Sequence, residues 1–362
     1  MASRIPCDAC AGATPVVVPD LSEALSRRLI ATWYSPRPTA LAIGLWPLSF
    51  VFRAVTALRR FLYRCHILPS QQLAVPVVVI GNLTVGGAGK TPLTLALAGA
   101  LAAQGLHPGI VSRGYAGRNV NPRAVVPGDD PGDVGDEALL HAASGFPVWI
   151  GHRRADAARA LLQANPRVDV VIADDGLQHY ALARTFEIVV VDGARGFGNG
   201  WLIPAGPLRE PVARATEADA VVTLVAADTS TSSPASAHAS TMTLEPLPWR
   251  NLADPSVTPA FAALPPGTVH AVAGIGHPER FFALIRAMGI DAIEHAFPDH
   301  HRFRAGDVNY PGATAILMTA KDAVKCAALA DSRFWCLPVQ AHIDPALVRR
   351  VLAACKKNVA AT

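Results

Sequence analysis

The chain has 362 residues, of which 51% are hydrophobic and 17% are charged, and its formal net charge is +4. One compact core rarely serves a chain of this length, so two domains are expected. The low charged fraction indicates contact with a membrane or lipid surface, whereas so small a basic excess gives no reason to expect a nucleic-acid partner.

Residues 1–20 carry no periodic pattern, and we interpret them as a loose N-terminal extension. Cys7 and Cys10 form a CxxC pair within it, and the chain has six cysteines in all. No second pair and no histidine follows at ligand spacing, so a loose extension is favoured over a zinc site. The scattered thiols fit a reducing, cytosolic setting.

Residues 21–65 form the next region, which we predict to contain a membrane-associating helix. The segment from Pro38 to Phe52 has no charge, but it is shorter than the ~20 residues that a spanning helix needs, and Pro47 interrupts it. Beyond it, apolar side chains recur at helical spacing, at Phe52, Val55, Leu58, Phe61 and Leu62. Arginines occupy other positions, at Arg53, Arg59, Arg60 and Arg64. Apolar and cationic faces side by side are typical of a helix lying in an anionic membrane interface; the alternative is a helix that packs on the protein.

From about residue 75 the sequence alternates between apolar strands and helices. The predicted strands include "VPVVVIGNL", "PGIVSRGY", "PVWIG", "VDVVIADDG", "FEIVVVDG" and "ADAVVTLVA". This alternation predicts an α/β fold with a P-loop NTPase-like parallel sheet covered by helices. We assign 66–226 to this P-loop domain, 227–241 to a polar linker and 242–362 to a second, smaller α/β domain, because strand and helix patterns resume after the small polar residues.

A glycine-rich loop joins the first predicted strand to the following helix. The P-loop pattern G-x-x-x-x-G-K-[ST] asks for glycine where this chain has Thr84, but the remainder is intact. Glycines allow backbone N–H groups to converge on phosphate oxygens, and the helix N-terminus adds partial positive charge. Lys90 is expected to reach the β- and γ-phosphates and Thr91 to ligate Mg²⁺, against the alternative of an ordinary glycine-rich turn. The predicted nucleotide-binding residues are Thr84, Val85, Gly86, Gly87, Ala88, Gly89, Lys90 and Thr91.

Two carboxylates follow another predicted strand. Asp174 and Asp175 come directly after the apolar run in "VVIADDG", and with Thr91 they form the predicted metal site. Adjacent carboxylates beside a triphosphate need a cation to offset their mutual repulsion. This favours a Mg²⁺ role over the alternative, a turn with an Asx cap.

Two classes of nucleotide-binding enzyme are disfavoured, because the residues that define them are missing from this sequence. Guanine is read by N-K-x-D or T-K-x-D, and the nearest string here, "TAKD" at 319–322, has its lysine in the wrong place. Val85 stands where a partitioning-type ATPase would carry a signature lysine. Both interpretations lose support. A kinase, the third possibility, requires a general base near the γ-phosphate and a site for an acceptor hydroxyl.

Eight motifs then occur in a fixed order along the chain. They are "GNLTVGGAGKTP", "VSRGY", "GDEALL", "DDGLQHY", "GNGWLIPAGPLRE", "AGIGHPERFF", "FPDHH" and "KDAVK". Together they resemble the tetraacyldisaccharide 4'-kinase (lipid A 4'-kinase) family of Gram-negative bacteria, from about residue 30 to the end. The resemblance implies a kinase that uses ATP and Mg²⁺ to phosphorylate the 4'-hydroxyl of a tetraacyldisaccharide 1-phosphate, a precursor in lipid A (lipopolysaccharide) biosynthesis. It also implies a location at the cytoplasmic face of the inner membrane, with the lipid surface as partner, and no protein partner is predicted.

The resemblance assigns catalytic residues motif by motif. Asp136 in "GDE" matches the family's catalytic base, His300 in "FPDHH" matches the histidine that pairs with it, and Lys90 completes the set. We expect the imidazole to orient the carboxylate and strengthen it as a proton acceptor. The alternatives are a helix N-cap for Asp136 and a surface histidine for His300, with His301 as the fallback partner. Because the histidine comes from the second domain, activity is expected to depend on domain closure.

Further polar residues are predicted to contact substrate or phosphate. A guanidinium holds phosphate bidentately, and a surface arginine with no role is the alternative. The predicted set is Arg113, Arg154, Gln178, His179, Arg209 and Glu210. In "MTAKDAVK", Ala320 stands where related proteins often carry glutamate, which leaves the role of Lys321 open.

Two other functions remain open from the sequence. A membrane-tethered NTPase switch would hydrolyse nucleotide without any lipid, and a nucleotide-binding scaffold would show no turnover. A kinase would hydrolyse slowly alone and transfer rapidly to an acylated disaccharide. The pairing of Asp136 with His300 separates these functions, because a switch needs no base for a sugar hydroxyl.

Overall fold

The computed structural model describes residues 21–361, except Ala116, Val120, 227–237, Pro255 and 258–266. The predicted N-terminal extension and most of the predicted polar linker lie outside the described residues. The helices are α1 (Leu21–Trp33), α2 (Ala40–Arg64), α3 (Lys90–Ala102), α4 (Pro131–Val134), α5 (Asp136–Ala142), α6 (Arg154–Ala164), α7 (Pro278–Ala287), α8 (Ala305–Val308), α9 (Ala320–Cys326) and α10 (Pro345–Ala361). The strands are β1 (Val77–Gly81), β2 (Pro108–Ser112), β3 (Arg123–Val125), β4 (Val148–Ile150), β5 (Val170–Asp174), β6 (Phe186–Asp192), β7 (Ala220–Leu224), β8 (Ala239–Pro246), β9 (Arg250–Asn251), β10 (Thr268–Ala273), β11 (Ile293–Ala296), β12 (Ala313–Thr319), β13 (Phe334–Leu337) and β14 (Val339–Ile343). Short 3-10 helices lie at Val212–Glu217 and Ala327–Leu329.

Nine strands form one sheet, in the order β14-β8-β7-β6-β1-β5-β2-β4-β3. Neighbours are parallel except at the two edges, where β14 pairs antiparallel with β8 and β3 with β4. β1 is buried along its whole length, which explains its run of β-branched residues. Its side chains alternate between the faces: Val78 and Ile80 join the core formed with α3, α5 and α10, and Val77 and Val79 join the core formed with α6. We call this sheet with its helices the large lobe.

A second sheet has five strands in the order β11-β10-β12-β13-β9, with β9 antiparallel to its neighbour. On one face, Phe281 and Ile285 of α7 pack with Trp249. On the other, Ala323 and Cys326 of α9 belong to a separate core. We call this sheet with α7, α8 and α9 the small lobe. The two helix-covered, mainly parallel sheets confirm the predicted α/β fold class.

The boundary between the two sheets differs from the prediction. The residues predicted to end the linker, 239–241, belong to β8, and β8 extends the large sheet by pairing parallel with β7. Near the C-terminus β14 returns to this sheet beside β8, and α10 packs against α3. Assigning all of 242–362 to a smaller domain was therefore wrong, since the small lobe is inserted between β8 and β14. Strand periodicity could not reveal this, because it encodes which face is buried and not which sheet edge a strand joins.

The membrane-associating helix was predicted to be interrupted at Pro47, but α2 continues through it as one 25-residue helix. Proline removes one backbone donor and strains a helix interior, so the turns around Pro47 need support from elsewhere. Contacts with the large lobe supply it: the Ser49 hydroxyl donates to the Leu202 carbonyl at 2.8 Å and accepts from the Ala205 amide at 3.0 Å. Trp46 also stacks on Trp201, with ring centroids 5.6 Å apart.

The remainder of α2 faces away from the protein. Among the described residues, α2 is the one helix long and apolar enough, by length and composition, to cross a membrane, with a mean hydropathy of 1.7 over its most apolar window. Large apolar side chains are exposed along it, at Leu41, Ile43, Trp46, Leu48, Phe50, Val51, Val55, Leu58 and Phe61. We call these nine residues the α2 apolar face. The packing of α2 thus covers one side of the helix and leaves most of the α2 apolar face exposed, although Trp46 also contacts Trp201.

Candidate active site

The glycine-rich loop occupies the gap between the carboxyl end of β1 and the start of α3. Gly86 and Gly89 have φ values of +100° and +90°, a region that only glycine enters at little cost. A Cβ atom at Gly86 or Gly87 would meet nothing within 4 Å, so there is open space on the side of the loop where these side chains would lie. A glycine-rich loop that leads into a helix N-terminus is suited to an anion.

Asn82 organises this loop, and the sequence analysis missed it. Its buried amide donates to the Gly86 carbonyl at 3.1 Å, and its Oδ1 accepts from the Lys90 ammonium at 3.2 Å. Its Nδ2 also lies 3.4 Å from the Thr84 hydroxyl. One side chain thus joins both ends of the loop. A polar residue directly after a fully buried strand was the available signal, because such a side chain must find partners.

The two carboxylates at the end of β5 have different environments. Asp174 is fully buried, and it accepts hydrogen bonds from the Asp175 amide at 3.0 Å and the Thr94 hydroxyl at 3.4 Å. His141 Nε2 lies 2.7 Å from its other oxygen. Asp175, in contrast, lies 3.6 Å from the Lys90 ammonium. Of the two predicted metal carboxylates, only Asp175 therefore turns toward the phosphate loop.

Asp175 stays ionised in this setting. Burial would raise its pKa, but the charges of Lys90, Arg209 and Arg154 outweigh burial and hold the pKa well below its usual range. Arg209 donates to it at 3.1 Å. In the part of the chain that the structure describes, no three His, Cys, Asp or Glu side chains are grouped to hold a metal by themselves.

A small hard cation is nevertheless compatible with this end of the sheet. Mg²⁺ commonly takes one or two protein oxygens and completes its shell with phosphate oxygens and water. Thr91, in the first turn of α3, and Asp175, at the end of β5, are the oxygen donors of this kind at the loop. The donor set therefore fits Mg²⁺ bound together with a nucleotide.

A cationic group borders Asp175. Arg154, at the start of α6, donates to the Asp175 carbonyl at 3.2 Å. Burial lowers the pKa of Arg154 to about 10; the charge of Asp175 opposes this shift, and the charges of Arg113 and Arg209 add to it. Cations held this close to one another in a buried place favour an anionic ligand.

Gln178 and His179 connect the same group to the phosphate loop. Gln178 donates to the Asn82 carbonyl at 3.2 Å and lies 3.3 Å from an Arg209 guanidinium nitrogen. His179 Nε2 accepts from the Arg154 amide at 3.2 Å. Burial, together with the charge of Arg154, lowers the pKa of His179 to about 4, so this imidazole is neutral at pH 7. Five of the six predicted substrate or phosphate residues thus lie in one group.

Glu210, the sixth, lies in a different cluster. It accepts from the Tyr180 hydroxyl at 2.7 Å, and Arg214 lies 3.4 Å away. Burial raises the pKa of Glu210. Its carboxylate is only 3% exposed and already has partners within the protein, so the structure gives it the surroundings of a structural residue.

Asp136 and His300 are brought together across the two lobes. Asp136 is the first residue of α5, and Gly135 holds the N-cap position, so Asp136 is not the N-cap. His300 Nδ1 lies 3.0 Å and 3.1 Å from the two Asp136 oxygens. Burial would raise the pKa of Asp136, but the His300 hydrogen bond and the Lys321 charge outweigh it and keep the pKa low. His301, the fallback partner, lies instead 3.1 Å from Asp307.

The small lobe also covers the phosphate loop directly. Residues 274–277, between β10 and α7, form what we call the cover loop. A Cβ atom at Gly276 would lie 2.9 Å from the Gly87 nitrogen and 3.1 Å from an Asp299 oxygen. Arg195 of the large lobe donates to the Gly276 carbonyl at 3.0 Å. The phosphate loop and the Asp136–His300 pair therefore share one cleft between the lobes.

Known proteins are similar to this chain in sequence and in fold. The family described as Tetraacyldisaccharide-1-P 4'-kinase matches residues 41–356. A "Tetraacyldisaccharide 4'-kinase" of Methylobacillus flagellatus is 43% identical over 92% of this chain and 97% of its own length. The protein of that name from Alkalilimnicola ehrlichii is 48% identical over 90% of this chain and 96% of its own.

Among solved structures, that of "apo" form LpxK from Aquifex aeolicus in complex with ATP is similar to this chain. It has a TM-score of 0.74 and 26% sequence identity, over 87% of this chain and 99% of that one. Motifs, fold and curated relatives agree, which confirms the resemblance inferred from the sequence. The chain belongs to the tetraacyldisaccharide-1-P 4'-kinase family.

Proposed function

We propose that this chain transfers the γ-phosphate of ATP to the 4'-hydroxyl of a tetraacyldisaccharide 1-phosphate, with Asp136 as the general base. The family's kinase activity in lipid A biosynthesis supplies the reaction, and the similar structure contains ATP. The observation that carries the residue assignment is the 3.0 Å contact between His300 and Asp136, in the cleft that the cover loop closes over the phosphate loop.

Phosphate binding is assigned to the loop from Thr84 to Thr91. Its N–H groups and the N-terminus of α3 hold the phosphates, and Lys90 moves from Asn82 and Asp175 toward the β- and γ-phosphates. Thr91 and Asp175 hold Mg²⁺, which when bound neutralises phosphate charge. Asp174, fixed by its own hydrogen bonds, orients the strand end that carries Asp175.

Proton transfer is assigned to the Asp136–His300 pair. The 4'-oxygen forms a bond to the γ-phosphorus, the bond from that phosphorus to the bridging oxygen of ADP breaks, and Asp136 accepts the hydroxyl proton. With Nδ1 protonated, His300 donates to the Asp136 carboxylate and fixes its direction. Because the imidazole comes from the small lobe, this step requires the lobes to be together.

The acceptor's anionic group is assigned to the cationic group beside Asp175. Arg113, Arg154 and Arg209 supply positive charge, and the group is completed by Gln178 and neutral His179. Guanidinium groups hold a phosphate monoester through paired hydrogen bonds. These contacts suit the 1-phosphate of the lipid.

The acceptor reaches this cleft from a membrane. We assign the α2 apolar face to the acyl boundary and the exposed Arg53 and Arg59 to anionic headgroups, at the cytoplasmic side of the inner membrane. The other two predicted arginines, Arg60 and Arg64, pair with Glu217 of the large lobe. The lipid surface is then the partner that presents the acceptor to the cleft.

One assay tests the proposal. The full chain is given Mg²⁺-ATP and a disaccharide 1-phosphate with or without acyl chains, and phosphate transfer to sugar is measured beside ATP hydrolysis. We expect transfer that depends on the acceptor, and a fall in kcat of about 10³-fold in Asp136→Asn with little change in KM for ATP. Asp133→Asn, on the neighbouring helix α4 and paired with Arg118, is the matched control. Acceptor-independent hydrolysis as fast as transfer would favour a nucleotide switch instead.

A further inference from the structure

Lys321, in the first turn of α9, reaches into the cleft between the lobes. Its ammonium lies 3.1 Å from Asp299 and 3.2 Å from Glu137. It is also 3.8 Å from the nearer Asp136 oxygen and 3.5 Å from His300 Nε2. Its side chain is 16% exposed, so these contacts are largely shielded from water.

The position of Lys321 is unfavourable for α9 itself. A cation in the first turn of a helix is opposed by the helix dipole, and Thr319 already caps this end by accepting from the Asp322 amide. Helix stability therefore does not explain a lysine here. The three carboxylates around it do, because without a cation their charges would repel one another in a partly buried site.

The members of this group come from both lobes. Asp136 and Glu137 begin α5 of the large lobe, whereas Asp299, His300 and Lys321 belong to the small lobe. One ammonium thus contacts both members of the Asp136–His300 pair and a carboxylate beside each. The contacts of Lys321 with Asp136 and Glu137 exist only while the lobes face each other as they do here.

We propose that Lys321 is a positioning residue for the phosphoryl transfer. It keeps Asp136 ionised and holds Asp136 and His300 within hydrogen-bonding distance of each other when the lobes close. This inference rests on the proposed function, in which Asp136 accepts the hydroxyl proton. Lys321 itself touches neither the acceptor hydroxyl nor the proton that is moved.

The electrostatics of the pair agree with this geometry. Burial would lower the pKa of Lys321, but Glu137, Asp299 and Asp136 raise it above its usual range. For Asp136 the balance is reversed: burial raises the pKa, and His300, Lys321 and Lys325 together lower it. Removing Lys321 takes away one of the charges that oppose burial, while the His300 hydrogen bond and Lys325 remain, so we expect the pKa of Asp136 to rise.

The other charged groups around α5 have partners elsewhere. On α5 itself, His141 bonds to Asp174. On the elements packed against α5 the remaining pairs are Lys90 with Asn82, Arg123 with Asp129, Asp133 with Arg118 and Asp322 with Lys325. Lys321 is therefore the cation nearest to Asp136 among the contacts described.

The pH dependence of kcat tests the inference. The full chain and the variants Lys321→Met, Lys321→Arg and Lys356→Met are assayed with saturating Mg²⁺-ATP and acceptor. In Lys321→Met we expect kcat at neutral pH to fall at least about tenfold and the acid limb to move up by about one pH unit, since an ionised base is needed and its pKa rises. Lys321→Arg should return the acid limb toward that of the unmodified chain.

Lys356 provides the charge-matched control, because it is exposed on α10. Lys356→Met should leave both kcat and the acid limb unchanged. A Lys321→Met variant with reduced kcat but an unmoved acid limb would overturn the inference, since a merely structural lysine gives that result. Equal shifts in the two methionine variants would overturn it as well.

Folding and the proposed function are checked separately. Thermal melting and ATP binding identify any variant that fails to fold, and Lys321→Gln then replaces Lys321→Met with the same expectations. Asp136→Asn is assayed in parallel. If it keeps full transfer, the general-base assignment fails; if it is inactive while the acid limb of the Lys321 variant stays in place, only the role of Lys321 fails.

Discussion

The Nδ1 atom of His300 lies 3.0 Å from Oδ2 of Asp136, although one residue belongs to the small lobe and the other begins α5 of the large lobe. His300 holds a φ of +60° to reach this position, a conformation that costs a non-glycine residue free energy. Surrounding contacts must compensate, and the tilted packing of the Tyr115 ring at 4.8 Å is one of them. The pairing therefore makes the arrangement of the two lobes part of the active site.

The two adjacent histidines should differ sharply on substitution. His300→Ala removes the group that we propose to orient Asp136, so we expect kcat to fall about 10²-fold with KM for ATP within a few fold. His301→Ala is the control, because His301 pairs with Asp307 and not with Asp136. Steady-state kinetics with the acylated acceptor provide the measurement. A larger loss of kcat in the His301 variant would identify the fallback partner as the functional one.

Substitutions of the two aspartates at the end of β5 should have different effects, one on metal binding and the other on stability. In Asp175→Asn we expect the Mg²⁺ concentration for half-maximal activity to rise at least about tenfold, because the carboxylate facing the phosphate loop is lost. Asp174→Asn should chiefly lower stability, by about 1–3 kcal/mol, because it disturbs a buried hydrogen-bonded group. Mg²⁺ titrations of activity and thermal melts distinguish them. The reverse pattern would make Asp174 the direct ligand.

A methyl group on the cover loop should hinder closure. Gly276 does not have a positive φ, so Gly276→Ala adds no backbone strain, but its Cβ would lie 2.9 Å from the Gly87 nitrogen. We expect kcat/KM for ATP to fall at least about tenfold, since the two loops can no longer approach this closely. At Gly306 an added Cβ meets nothing within 4 Å, and Gly306→Ala should be near normal. Normal kinetics in the Gly276 variant would show that catalysis does not need this contact.

Membrane attachment should depend on the α2 apolar face. Val55 and Leu58 are 60% and 59% exposed and lie three residues apart on one side of the helix. The double change to Asp should lower binding to anionic vesicles at least about tenfold, because burial of each side chain in the acyl boundary is worth roughly 1.5–3 kcal/mol. Ile293→Asp, at a 52% exposed position on β11, is the control. Sedimentation with vesicles measures binding, and transfer to detergent-dispersed acceptor should be kept in both variants.

Hydrophobic periodicity alone was sufficient for some of the fold. The β-branched run before the glycine-rich loop is buried as β1, and the alanine- and leucine-rich run after Lys90 is α3. Hydrophobic periodicity failed where contacts with another element determine the structure of a segment. Pro47 lies inside a continuous helix because Ser49, two residues later, hydrogen-bonds to the large lobe. Strand β14 joins the large sheet because it pairs with the edge of β8.

In the candidate active site, too, some features could be predicted from the local sequence and others depend on tertiary contacts. The phosphate loop is a local feature. It consists of consecutive residues between a strand and a helix, and its glycines and lysine form a motif that can be recognised in the sequence. His141 and Lys321 carried no comparable signal, because each acts through partners that are distant in the chain. Which of Asp174 and Asp175 faces the phosphate loop also depends on their tertiary contacts.

The sequence by itself determined most of the elements, the phosphate loop and the family, since spacing and motif order are properties of neighbouring residues. Only the tertiary structure decided that Asp136 meets His300, that Asp175 and not Asp174 turns to Lys90, and that the small lobe interrupts the large one. The reason is physical: local patterns fix backbone conformation and the buried face, whereas contacts between distant residues depend on how whole sheets pack.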